Sequence, residues 1–159
     1  MATGHDPNDV ARYFLWLAHD ADKSLTPMQV LKLVYIAHGW SLGLYSEPIS
    51  DTPAEAWPYG PVIPPVYHEF KAFGGSAVTK CPEREPAGFS DRERNLLRQV
   101  WDGYGGMSGI ALSSLTHQPG TPWDVTIKRF GRGAIIPDDL IEEHYRELYR
   151  QRTGRMPIR

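Results

Sequence analysis

The segment from Pro27 to about Leu44 decides what this chain can fold into. Thr26 suits a helix N-cap, Pro27 suits the first helical position, and Gln29, three residues after Thr26, completes a capping box. Behind that start runs Val30-Leu31-Lys32-Leu33-Val34-Tyr35-Ile36-Ala37-His38-Gly39-Trp40-Ser41-Leu42, apolar on nearly every face except at Lys32 and His38. A helix without a polar side has to be covered all round. It is therefore predicted to be the central element of a mainly α fold.

The covering elements can be read from the same kind of pattern. Val10, Phe14, Leu17 and Ala18 recur at helical spacing between about Asn8 and His19. Val66, Tyr67, Phe70 and Phe73 do so before Gly74-Gly75. Ser90 and Glu93 form a second capping box ahead of Leu96, Leu97, Val100, Trp101 and Tyr104. Ser108 to His117 reads as a short helix, Thr121-Pro122-Trp123 opens another, and Asp139 with Glu142 is expected to cap a last one carrying Ile141, Tyr145 and Leu148. The result is a single compact domain of about six helices, 159 residues being the length of one core.

Between Tyr45 and Pro65 the helical period stops. Pro48, Pro53, Pro58, Pro61, Pro64 and Pro65 forbid a continuous helix, leaving a Pro-rich extended insertion at about 45–62. Ile49 and Ala54 to Trp57 are expected to form a short β-ribbon across Asp51-Thr52-Pro53, on an edge because of the prolines. The domain is expected to span 8–149, with a flexible N-terminus at 1–7 and a basic tail at 150–159 carrying Arg150, Arg152, Arg155 and Arg159.

Charge and cysteine content exclude several function classes. The chain has 17 Lys plus Arg against 19 Asp plus Glu, a net charge of −2, which gives no cationic field for nucleic acid or an anionic membrane. The longest strongly apolar run, Leu33 to Ala37, has five residues, against about 20 for a membrane helix. The only cysteine, Cys81, has no partner for a disulfide or a thiolate zinc site, and no secretion signal opens the chain, so a cytoplasmic location is expected. The histidines at 5, 19, 38, 68, 117 and 144 never fall three or four apart, so no helix presents a paired metal-ligand face; no metal and no cofactor is expected.

A family resemblance rests on several motifs in order. Leu31-Lys32-Leu33-Val34-Tyr35-Ile36-Ala37-His38-Gly39-Trp40, then Pro48-Ile49, then Glu55-Ala56-Trp57-Pro58-Tyr59-Gly60-Pro61-Val62 with Val66-Tyr67, and distally Leu112, Leu115, Thr116, His117, Pro122 and Trp123, resemble the signature of the Panacea family. That is the SocA-like and phage-associated GepA-like antitoxin domain, and the likeness spans about residues 8 to 145. Pro58 stands where the pattern more usually has a polar residue. The resemblance implies a mainly helical domain, encoded beside a toxin, that neutralises the toxin by direct protein contact. In one branch of the family it implies a proteolytic adaptor that delivers the toxin to a protease or its chaperone.

Individual residues carry open alternatives. Trp57 and Tyr59 on a proline-stiffened loop suit a binding hot spot, or else plug the core, with Gly60 supplying an unusual backbone angle. His117 suits a general base near Ser113, Ser114 and Thr116, which would make the protein an enzyme, or else it hydrogen-bonds a helix end while Trp123 packs on it. No nucleophile elbow or phosphate cradle accompanies it, so the enzyme class is disfavoured. Lys32 has to find a carboxylate, Glu55 or Asp51 being the candidates, or snorkel to water, or else meet an acidic partner. Tyr45, Tyr59, Tyr67 and Trp123 are the residues expected to anchor a partner, by the aromatic preference of hot spots.

Overall fold

A computed structural model describes residues 4–157. The predicted central helix is α2 (Pro27–Tyr45), and every residue in it from Val30 to Gly43 is buried. Its capping box is formed: Thr26 Oγ1 accepts from the Gln29 amide, and the Thr26 amide donates to Gln29 Oε1 at 2.8 Å. α1 (Pro7–Asp20) precedes it, with Asp6 as N-cap. After it come strands β1 (Ala54–Trp57) and β2 (Gly60–Val62), then α3 (Pro64–Phe70), which tightens into one 3-10 turn over Lys71–Phe73. The chain continues through α4 (Asp91–Tyr104), α5 (Gly109–Thr116), α6 (Pro122–Phe130), β3 (Ile135–Ile136) and α7 (Asp138–Thr153). Five helices and β2 pack on α2: α1, α3, α4, α5 and α7. That enclosure is how a helix with no polar face escapes water.

α7 lies closest to α2 because two glycines let it. A Cβ on Gly43 would stand 2.6 Å from the Tyr145 Cβ and 3.1 Å from its carbonyl carbon, and one on Gly39 would run into the Tyr145 ring. Tyr145 is buried in the resulting seam, its ring edge-on to Trp40 at 5.0 Å.

Three local expectations change. The ribbon partner of β1 is β2, across Pro58-Tyr59, and not the Ile49 segment. Ile49 is a core side chain instead, and its carbonyl accepts from the His5 amide at 2.8 Å. The reason lies in register: Trp57 faces Gly60, whose φ of +120° closes the two-residue turn, and Pro61 faces Ala56, whose amide points away to the Ala134 carbonyl. A proline there removes no rung from the ladder. β3 adds a third antiparallel strand, giving the order β2-β1-β3, which no alternation in the sequence announced. Finally, α7 starts at Asp138 without a side-chain cap, and the Asp138 carboxylate is held by His38 Nε2 at 3.0 Å. His38 Nδ1 accepts from the Ser50 amide at 3.3 Å, so the Nε2 proton is the one given to Asp138.

α7 includes Arg150 and Arg152 before Gly154 ends it in the left-handed region; Arg155 follows, and Arg159 lies outside the described residues. No helix among the described residues is long and apolar enough to cross a membrane.

Candidate functional site: a clamped aromatic hairpin

The β1–β2 hairpin is held by side chains from three helices, each taking one of its alternate carbonyls. Trp123 Nε1, from α6, donates to the Trp57 carbonyl at 2.6 Å. Ser113 Oγ, from α5, donates to the Tyr59 carbonyl at 2.5 Å. Lys32 Nζ, from α2, donates to the Pro61 carbonyl at 2.9 Å. The three carbonyls lie at the end of β1, in the turn and in β2, so each part of the hairpin is tied to a different helix. Gly60 sits directly over the lysine: a Cβ there would lie 2.9 Å from Lys32 Nζ.

Lys32 corrects an expectation. It is wholly buried, and among the described residues no carboxylate forms an ion pair with it; neither Glu55 nor Asp51 does. Glu55 accepts from Trp57 Nε1 at 3.0 Å instead, and Asp51 from Thr52. Burial pushes the ammonium down from its ordinary 10.5 to about 8. It stays protonated at neutral pH and holds the hairpin through a carbonyl dipole.

Around this clamp the structure gathers most of the residues singled out in the sequence. Trp57 is half-buried, with Tyr67 packed edge-on at 5.0 Å; Tyr67 is 37% exposed. Tyr59, at the turn, is 75% exposed. Trp123 meets the His117 ring edge-on at 5.4 Å. Ile110, 84% exposed, stands one turn before Ser113 on the same side of α5. Gly60, Pro61 and Val62 form the buried second strand. Two residues lie elsewhere. Tyr45 ends α2, about 20 Å along the helix from Lys32, and is covered by the Arg92 guanidinium at 4.2 Å. Tyr35 is buried on α2.

Ser113 Oγ stands 3.5 Å from His117 Nδ1, but each has a closer partner. The His117 Nδ1 proton goes to the Ser113 carbonyl at the end of α5, and the Ser113 hydroxyl proton goes to Tyr59. Asp124, the nearest acid in sequence, accepts from the Gly120 amide at 2.8 Å and from Lys128 at 3.0 Å, which hold its carboxyl below the usual range. Among the described residues no group of three His, Cys, Asp or Glu could hold a metal ion. The hold of Ser113 on the hairpin is not legible in the sequence: no local signal marks a serine as a clamp for a residue 54 positions away.

What the arrangement can do is present large apolar side chains on backbone that cannot yield. A family profile described as "Antitoxin SocA-like, Panacea domain" matches residues 30–124, a span that contains all three clamping side chains and the hairpin. Antitoxin SocA of Caulobacter vibrioides (strain NA1000 / CB15N) is 31% identical over 160 residues, covering 89% of this chain and 82% of that protein. No solved structure matches. With the profile over more than half its length and that relative along most of it, the chain belongs to the SocA-like, Panacea-domain antitoxin family.

Proposed function

We propose that the protein is the antitoxin of a toxin–antitoxin pair and neutralises its cognate toxin by binding it directly through the hairpin face. The observation that carries this reading is the triple clamp on the Trp57, Tyr59 and Pro61 carbonyls beneath an exposed Tyr59. Ordering an interface loop costs binding free energy, about 0.5–1.5 kcal/mol for each side chain fixed, and a preorganised backbone avoids part of that loss. Aromatic side chains on such a platform are what hot spots consist of. Tyr59 and Ile110 project, Tyr67 is at the margin, and Trp123 braces the platform from behind. A standard interface of about 1,600 Å² in total would extend past the hairpin over neighbouring surface of α5 and α6.

Co-expression with the product of the adjacent reading frame tests the reading. The two proteins are expected to co-purify, and this chain is expected to restore growth that the neighbour alone suppresses. Tyr59→Ala should weaken the complex by about 30-fold, the effect of losing a hot spot of about 2 kcal/mol, with an unchanged unfolding midpoint. A neighbour that is harmless by itself, or that stays lethal beside this chain, would refute the antitoxin reading for that pair. Unchanged affinity in Tyr59→Ala would move the interface off the hairpin.

A further inference from the structure

A cavity of about 80 Å³ lies where α2, α5 and α7 meet the loop before α6. Its wall contains Tyr35, Tyr104, Thr116, His144, Tyr145 and Arg152, among others, and no carboxylate. The Tyr35 hydroxyl is wholly buried and has no hydrogen-bond partner among the described residues. A hydroxyl left so in a folded interior is costly unless something else comes to accept from it. Tyr104 Oη accepts from Trp40 Nε1 at 3.1 Å and from an Arg152 amino group at 3.3 Å, which leaves its own proton to give. Burial pushes the Tyr35 and Tyr145 phenols above their ordinary range, so both keep their protons at neutral pH. The Arg152 guanidinium lies close enough to favour charge on Tyr145, and among the described residues it has no acidic partner. Asp138, the acid whose charge reaches Tyr35, is engaged by His38.

Phenolic donors, one cation and no anion describe a place for an acceptor of single negative charge. We propose that this cavity binds a carboxylate group, brought to it by a bound polypeptide. A single guanidinium balances a carboxylate and falls short of a phosphate dianion. The volume admits a carboxylate with its adjoining carbon, or two to three waters at about 30 Å³ each. Gln118 and Thr121 in the wall belong to the loop between His117 and Trp123, so the cavity adjoins the hairpin face. The polypeptide part of the inference rests on the antitoxin reading; the carboxylate part does not.

The full chain, labelled with carbon-13 at the tyrosine rings, is titrated with sodium acetate, sodium chloride at equal ionic strength, and inorganic phosphate. Acetate should shift the Tyr35 and Tyr145 resonances saturably in roughly the millimolar range, ahead of phosphate, with chloride giving no saturation. Tyr35→Phe and Arg152→Gln should each weaken acetate about tenfold or more, as loss of a hydrogen bond to a charged group does. Tyr35→Phe removes the partnerless hydroxyl and should fold at least as well as the parent. No saturation, equal response to chloride, tighter phosphate binding, or undiminished affinity in both variants would overturn the proposal. Three capped trialanine-type peptides separate the sources: one with a free C-terminus, its amide, and an amide carrying an internal Asp. Binding of the first alone assigns a chain terminus, and binding of the third assigns an acidic side chain. Acetate binding with no peptide binding overturns the polypeptide part. Because no toxin is present, this outcome is independent of whether the antitoxin reading survives.

Discussion

A buried ammonium held by one carbonyl makes the stability of this chain depend on pH in a direction that ordinary surface lysines would not give. Lys32 binds its proton less tightly folded, at about 8, than unfolded, near 10.5. Between those values the unfolded chain holds more protons, so stability rises with pH across that window and is lowest below about 8. From about pH 7 to about pH 9.5 the gain should be about 2 kcal/mol. Urea unfolding of the parent and of Lys32→Met at both pH values checks it, since the variant removes this group and keeps the opposing contributions of the buried tyrosines. The gain should disappear in Lys32→Met; an equal gain in both proteins would reject the assignment. The sequence made Lys32 conspicuous as a break in an apolar helix but pointed to Glu55 or Asp51 as its partner. A backbone acceptor cannot be read that way, because the Pro61 carbonyl faces Lys32 only once Trp57 is in register with Gly60.

Among the elements, the seam between α2 and α7 is set by absence of side chain. Gly43 admits the Tyr145 backbone, and a methyl group there would meet main-chain atoms that have no rotamer to change. Gly43→Ala should therefore destabilise by about 1–3 kcal/mol, even though alanine is the better helix former by up to about 1 kcal/mol. Gly103→Ala, in α4 with open space beside it, is the control and should be neutral or stabilising by a similar fraction. Urea midpoints of the two variants decide; equal and positive shifts would mean the seam is looser than described. Elements with a cap and a 3.6-residue stripe were legible: Thr26 with Gln29, Ser90 with Glu93, Thr121 with Pro122. The ribbon was legible as extended chain but not in its pairing, because β3 has two residues, too few for alternation to show, and sits some 80 residues beyond β1. Asp138 is not legible as the start of α7, because its carboxylate serves His38 rather than its own helix end.

At the scale of the whole molecule, a net charge of −2 and a projecting aromatic hairpin argue for a partner held by apolar burial rather than by charge. Several charged groups around the hairpin are already employed, Lys32 in the clamp, Lys128 with Asp124 and Glu55 with Trp57, while Lys71 stands over the Tyr67 ring at 5.9 Å. Long-range attraction between exposed charges is screened beyond about 3 Å at 1 M salt, while burial of apolar surface is not weakened by sodium chloride. If the toxin docks on the hairpin, raising sodium chloride from about 0.1 M to about 1 M should change its dissociation constant by less than about tenfold, and mainly through the association rate. Tyr59→Ala at either salt concentration should keep its effect of about 30-fold, entering through dissociation. Surface plasmon resonance with the purified pair measures both. A carboxylate of the toxin seated against Arg152 would add a modest salt-sensitive part, and Arg152→Gln should remove that part while leaving the Tyr59 effect whole, since Arg152 lines the cavity and Tyr59 does not. A complex that falls apart in 1 M salt irrespective of Tyr59 would place the interface on the charged faces of α4 and α7 instead, where Arg94, Arg98, Glu142 and Glu147 meet solvent.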